Sequence, residues 1–296
     1  MSEILRFAWV LNLDAEFELE GPSYNAPTRL TEQLAQFGAG SRALLGPHDV
    51  LLSDGVSAPD EFVGRAWCPT ARALARFRSA SVTPEASPSE SVLKRVNHRL
   101  FAVQVGGGLP GQRYVEQRAE LTELLGRGER AWLLKRPLAF AGRGQLRAFK
   151  ELTAKEWSWV DASLRVSGLV VEPLVEPTLE LSLHGFVWRD ARYELGRCCV
   201  QEVTARGVFR GIRLATSGEL SVSEETQLRE RAARVAEALA TAGYFGPFGV
   251  DAYRYRLDGE LGFCALSEIN ARYSMGFVTG FPRHPSELWL GAMGNS

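Results

Sequence analysis

The chain has 296 residues, 45% of them hydrophobic, and its 34 Lys and Arg nearly cancel its 35 Asp and Glu to leave a formal charge of −1. That length can bury a large core and fits one to three compact units. A near-neutral balance without long runs of either sign argues against an electrostatic nucleic-acid or membrane surface, so a charged ligand must be met by a local site.

The opening residues "MSEILRFAWVLNLDAEFELE" combine early acidic residues with an apolar run too short and interrupted for a signal peptide or a membrane span, which predicts a cytoplasmic protein. Cys68, Cys198, Cys199 and Cys264 show no CxxC or His-paired spacing. They read as small apolar fillers kept as thiols in a reducing compartment. Leu5 to Leu13 reads as a buried strand with Asn12 and Asp14 at its carboxyl end, where an open α/β sheet meets its ligand. A helix over 28–37 ending at Gly38 and a short buried strand in "DVLLSD" complete an α/β unit over 1–90. The Ser- and Pro-rich stretch "SASVTPEASPSE", residues 79–90, marks the first boundary.

A second unit over 91–167 has helical patterns at 91–104 and 116–125, then "RAWLLKRPLAFAGRGQLRAF", a buried strand broken by a Pro- and Gly-containing loop. A third unit over 168–296 holds the strands "SGLVVEPLVE", "LELSLHGFVW", "YELGRCCVQEV" and "FRGIRLA", then a helix capped by Ser223. Leu228, Ala232, Val235, Ala236 and Leu239 keep the 3.6-residue period on that helix, and Gly243 follows its last turn. The strands "FGVDAYRYRL" and "LGFCALSEIN" follow, joined by a turn at "DGE".

Three stretches carry chemistry. Lys135 ends an apolar strand and precedes a loop in which Gly142 and Gly144 flank Arg143, so an ammonium and loop amides can meet phosphates. Surface turns also contain Lys and Gly routinely. In "VVEPLVEPTLELS" the backbone of Glu172 and of Leu174 or Val175 can read an adenine edge, and Glu180 can accept from ribose hydroxyls. The alternative is solvated strand-end residues. In "LSEINARYSMG" the strand period puts Glu268 and Asn270 on one face with Ile269 toward the core, and a hairpin can bring Asp251 beside Glu268. Two carboxylates and a carboxamide suit magnesium, and Arg272 can hold a phosphoryl group; the alternative is a salt-bridged polar face. Arg206, Arg210 and Arg213 can hold a substrate carboxylate or the triphosphate, with Arg213 on the strand the best placed, or they form an exposed basic edge. His48, His98, His184 and His284 are isolated in sequence and read as structural or surface residues, and no Ser-His-Asp or Cys-His arrangement is present.

The order of these stretches, behind an N-terminal α/β unit, resembles the ATP-grasp superfamily of carboxylate–amine ligases. The likeness implies an α/β (α+β) fold in which an open N-terminal domain precedes a two-lobed ATP-grasp domain. It makes Lys135 the phosphate-binding lysine, with Gly142 and Gly144 in the loop over the phosphates. Glu172, Leu174 and Val175 become the adenine hinge and Glu180 the ribose acceptor. Asp251, Glu268 and Asn270 become the ligands of magnesium, or of manganese in its place, and Arg272 a phosphate or acyl-phosphate contact. A second phosphate-binding lysine is common in these enzymes, and "VNHRLF" offers Arg99 instead. The implied reaction activates a small carboxylate as an acyl phosphate, with ATP and magnesium, and joins it to an amine; amino acids are candidate substrates. A kinase-like phosphotransferase and a non-catalytic ATP-binding protein are the alternatives, and a homodimer is left open.

Overall fold

The structure is a computed structural model that describes residues 5–21, 24–25, 40–52, 61–128, 130–139, 144–203 and 209–291. The helix expected over 28–37, Gly142 and Arg206 lie outside these residues.

Three sheets follow one another along the chain. In the first, β1 (Arg6–Val10), β2 (Val50–Leu51), β3 (Phe62–Ala66) and β4 (Thr83–Pro84) run parallel in the order β2-β1-β3-β4. The crevice between the carboxyl ends of β1 and β3 lies where the strand order reverses, the usual ligand position of an open α/β sheet. Helix α1 (Ala15–Glu20) leaves β1 at that end, and α2 (Ala71–Ser79) leaves β3, capped by Thr70 Oγ1 accepting from the Ala73 amide at 3.2 Å. Neither β3 nor α2 is among the elements expected from the sequence, although Ala73 and Phe77 of α2 lie one turn apart and are both buried.

Helices α3 (Glu90–Asn97) and α4 (Arg99–Gln104) replace the single helix expected over 91–104. His98 interrupts them with extended backbone, ψ 128°, and its Nδ1 accepts from the Leu100 amide. The break turns Asn97 and Arg99 toward the same neighbour, the end of the last long strand. The second sheet is antiparallel, ordered β5-β8-β6-β7, from β5 (Arg113–Val115), β6 (Trp132–Lys135), β7 (Gln145–Ala148) and β8 (Leu169–Pro173), with α5 (Arg118–Gly126) and α6 (Ala154–Leu164) packed on it. The strand at 169–173, read from sequence as opening the third unit, therefore belongs to the second sheet.

The third sheet, ordered β11-β10-β9-β12-β13, is antiparallel throughout: β9 (Glu176–Val187), β10 (Tyr193–Val203), β11 (Phe209–Leu214), β12 (Gly246–Leu257) and β13 (Glu260–Asn270). Helix α7 (Val222–Thr241) lays Leu228, Ala232, Val235, Ala236 and Leu239 on one face of it, all fully buried. Its cap is Ser221, two residues before the expected Ser223. Ser221 has the extended backbone of a cap, and Glu224 three positions on closes a capping box with it. A short helix, α8 (Phe277–Gly280), follows β13. The principal core joins Phe7 and Trp9 of the first sheet to Leu181, Val250, Ile269 and α7, so the first and third units share one interior. Among the described residues no helix is long and apolar enough to cross a membrane.

Candidate active site

The β12–β13 hairpin turns through Asp258 and Gly259, both with positive φ (52° and 87°), the backbone of a two-residue hairpin turn for which Asp-Gly is suited. Near the turn Leu257 pairs with Glu260 and Tyr253 with Cys264, so an unbroken ladder would set Leu266 opposite Asp251. The register instead shifts between Asp251 and Tyr253, and Asp251 faces Glu268. Ser267 Oγ donates to the Asp251 carbonyl at 3.0 Å and the Gly108 amide to the Leu266 carbonyl at 2.8 Å, which holds the shifted strand. Two carboxylates are thereby placed side by side, with Asn270 on the same face two residues on. Ile269 is buried on the other face.

Asp251 Oδ1 accepts from Gln201 Nε2 at 3.0 Å and Oδ2 from Asn270 Nδ2 at 2.8 Å. Burial, reinforced by the Glu268 charge opposite, pushes Asp251 up to about 7. Glu268 is partly exposed and accepts from Arg99 Nη1 at 2.6 Å, while Arg99 Nε reaches the Arg136 carbonyl at 3.1 Å. One buried arginine thus links the loop after Lys135 to the carboxylate pair. Asn97 clamps the next backbone unit: Ala271 N donates to Asn97 Oδ1 at 2.9 Å. Arg272, also buried, gives Nη2 to Asn270 Oδ1 at 2.9 Å, Nη1 to the Tyr273 carbonyl at 3.0 Å and Nε to Glu16 Oε1 at 2.5 Å.

This donor set fits a magnesium ion. Its oxygens are hard, and two crowded carboxylates in a poorly solvated place are relieved by a divalent cation. Among the described residues no three His, Cys, Asp or Glu side chains are arranged to hold a metal. The chain therefore offers two carboxylates and a carboxamide, a number that leaves positions for water and phosphate oxygens.

No family model matches the chain, and no curated protein matches it. Solved structures do match. Carboxyaminoimidazole ribonucleotide synthase from Aspergillus clavatus, complexed with ATP, is 15% identical over 93% of this chain and 72% of that one, with a TM-score of 0.55. D-alanyl-alanine synthetase A from Vibrio cholerae is 12% identical over 97% of this chain and 94% of that one, with a TM-score of 0.56. The biotin carboxylase domain of the Hydrogenobacter thermophilus 2-oxoglutarate carboxylase, in complex with MgADP and bicarbonate, is 15% identical over 70% of this chain and 46% of that one, with a TM-score of 0.52. The chain has the ATP-grasp fold.

Within this ATP-grasp fold Lys135 is buried at the end of β6, its Nζ 2.5 Å from Glu172 Oε1. Gly144 holds a positive φ of 69°, and its carbonyl accepts from the Arg136 amide at 2.8 Å, which closes the loop back onto the strand. The Leu174 amide already donates to the Ala131 carbonyl at 2.9 Å, so it is not a free donor for a base, whereas Val175 lies between β8 and β9 without a ladder partner. Glu180 sits on the same face as Asp251, in a row with Gln201 and Tyr253, and burial raises its carboxyl above the ordinary range.

Arg213 does not join this group. Its row runs through Val200, Leu181 and Ala252, which face α7, and it is held there by Glu219 at 2.5 and 2.8 Å. Strand alternation therefore puts it on the face opposite Asp251. Arg210, also on β11, is exposed. Asn12 bridges the ends of β1 and β3 through Cys68, Thr70 and Glu18, and Asp14 accepts from the Tyr24 hydroxyl at 2.9 Å.

His184 is fully buried between Ser182 Oγ and Ser274 Oγ, 3.2 Å from each. A Cβ at Gly276 would stand 2.5 Å from its Nε2 and one at Gly280 2.6 Å from its Cδ2, which explains the serine and glycine that follow Arg272. Sequence reasoning missed Glu16, Gln201 and Asn97. In sequence Glu16 reads only as one of several acids near the start of the chain, and the other two as ordinary polar positions.

Proposed function

We propose that the chain is an ATP- and magnesium-dependent ligase that activates a small carboxylate as an acyl phosphate and joins it to an amine. The observation that carries this reading is the shifted β12–β13 register, which sets Asp251 against Glu268 beside Asn270 and Arg272, with Arg99 reaching in from the central lobe. The fold shared with enzymes whose structures hold ATP, or MgADP and bicarbonate, supports it.

Asp251, Glu268 and Asn270 would hold magnesium, or manganese in its place, which supplies charge neutralisation at phosphate oxygens when bound. Lys135 and Arg99 bind the phosphates, exchanging their internal partners Glu172 and Glu268 in part for the nucleotide. Arg272 offers donors to the transferring phosphoryl group. An oxygen of the substrate carboxylate attacks the γ-phosphorus, the bond to the bridging oxygen breaks, and ADP leaves. The amine nitrogen then attacks the acyl carbon, phosphate leaves, and the nitrogen loses a proton. No side-chain nucleophile is required. The partners are small molecules, an acid and an amine, with amino acids the first class to try, and four free, buried thiols suit a reducing compartment such as the cytoplasm.

Incubation with Mg-ATP, hydroxylamine and a pool of amino acids and small acids tests this. Hydroxamate together with ADP is the expected result. A stable phosphorylated product without hydroxamate would move the assignment to a kinase, and no ADP above background in any mixture would remove turnover altogether.

A further inference from the structure

Arg272 has five N–H donors, of which three are engaged: Nε with Glu16, one on Nη1 with the Tyr273 carbonyl and one on Nη2 with Asn270. Among the described residues one donor on each terminal nitrogen remains, and these two are available to the oxygens of an oxyanion. The guanidinium cannot rotate without losing all three bonds, and the Trp67 ring stands 5.3 Å from its centre. Two of the three acceptors belong to the strand end that carries Arg272. The third, Glu16, comes from α1 of the N-terminal sheet, 256 residues earlier in the chain.

Glu16 is itself buried, and among the described residues its second oxygen, Oε2, has no hydrogen-bond partner. A carboxylate buried with a bare oxygen is an expensive way to tie two domains, since desolvation is only partly offset. The same contact is well suited to fixing the plane of one guanidinium beside Asn270 and Asp251.

We propose that Glu16 is a positioning residue for phosphoryl transfer: the N-terminal sheet holds the Arg272 guanidinium so that its two spare donors meet the transferring phosphoryl group. This rests on the ligase reading above, in which Arg272 is the group that touches the phosphoryl oxygens. Glu16 acts only through it.

The test is calorimetric binding of ADP, and of ADP with aluminium fluoride as a phosphoryl mimic, both with magnesium, to the full chain. Wild type, Glu16→Gln, Arg272→Ala and the double variant are compared. Glu16→Gln should bind ADP unchanged and lose roughly tenfold or more for the ADP–aluminium fluoride complex, the scale expected when a reacting contact is displaced by a fraction of an ångström. In the Arg272→Ala background the same substitution should cost nothing further. Equal loss for both ligands, no loss, or the same loss in both backgrounds would overturn the proposal. Glu16→Asp, which keeps the charge and shortens its reach, takes the place of Glu16→Gln with the same expectations if the latter does not fold. A wild type that binds ADP but gains nothing from aluminium fluoride refutes Arg272 as the phosphoryl contact, and the inference falls with it. A wild type that binds no ADP refutes the nucleotide reading itself.

Discussion

Two buried arginine–carboxylate pairs tie the N-terminal unit to the last part of the chain, and they are finished differently. Arg65 on β3 gives Nε and Nη2 to the two oxygens of Glu85 at 2.7 Å each, and its terminal nitrogens also reach the carbonyls of Pro285 and Leu288. Its guanidinium lies 3.5 Å from the centroid of the Phe7 ring. Both Glu85 oxygens and four of the five arginine donors are used. At Arg272, among the described residues, one carboxylate oxygen is used and one is bare, and two donors are spare. Burial is common to both pairs, so burial does not distinguish structure from chemistry. Unsatisfied valence does: a completed pair holds the fold, and an incomplete one has capacity left for a ligand.

If that distinction is right, changes near the incomplete pair should cost activity, and changes at the complete one should cost stability. The largest expected effect is at Glu268. Glu268→Gln keeps an acceptor for Arg99 but removes a charge from the metal-facing pair, and magnesium-dependent ADP formation should fall by roughly a hundredfold or more, the scale of losing one preorganised charge contact in a reaction centre. The thermal unfolding midpoint should move little. Full turnover in this variant would take Glu268 out of the site.

Arg65→Met is the reverse case. It leaves Glu85 buried without a partner, and urea unfolding should show a loss of about 3–5 kcal/mol, most of it recovered when Glu85→Leu is added. ADP affinity per folded molecule should not change. A variant of normal stability with weakened nucleotide binding would erase the contrast between the two pairs.

The parts of this contrast were unequally legible in the sequence. Asp251, Glu268 and Asn270 stand out in the sequence because a two-residue strand period keeps the last two on one face and a hairpin brings Asp251 beside them, and the structure does bring the three together. Helix α7 is legible because its apolar positions keep a helical period. The pairing of Asp251 with Glu268 depends on a register shift held by Ser267 and Gly108, which no local pattern encodes. Glu16 was missed for the same reason, since its meaning comes from a contact made across the whole chain. Arg213 was misplaced because an arginine on an edge strand has two faces available, and only the sheet order fixes which one carries the site. The helix break at His98 was missed because the apolar period runs through it without interruption.

His184 extends the comparison to a neutral group. Both ring nitrogens lie 3.2 Å from serine hydroxyls, so its valences are met as those of Arg65 are, and its effect should fall on stability. Burial lowers it from 6.5 to about 4. Between those values the unfolded chain takes up a proton that the native imidazole refuses, so this contribution is complete above about pH 6.5 and declines toward pH 4. The decline should be about 3 kcal/mol, read as the difference in urea unfolding between wild type and His184→Asn across that range, because the raised Asp251 carboxyl contributes to both with the opposite sign. The His184→Asn chain lacks the histidine contribution. If wild type and His184→Asn changed in stability by the same amount between pH 6.5 and 4, the ring would not be held neutral.

The smallest effect belongs to a pair that is satisfied and also solvated. Glu224 accepts from Arg254 Nε at 2.7 Å and Nη2 at 2.8 Å, and it closes the capping box of α7 with Ser221. The Arg254 contact holds its carboxyl down at about 2 against an ordinary 4.5, so the stabilisation is complete above about pH 4.5 and is lost as the pH falls through 2. Water and salt reach both side chains, so the ionic part should be worth less than about 1 kcal/mol. Glu224→Gln separates the terms, because glutamine keeps the capping box while removing the charge. Its unfolding free energy at pH 7 should drop by that small amount, and the difference from wild type should shrink as salt is raised. A loss as large as that of Arg65→Met would show that solvent contact does not discount an ion pair in this fold, and the ranking of these sites by completeness and burial would have to be abandoned.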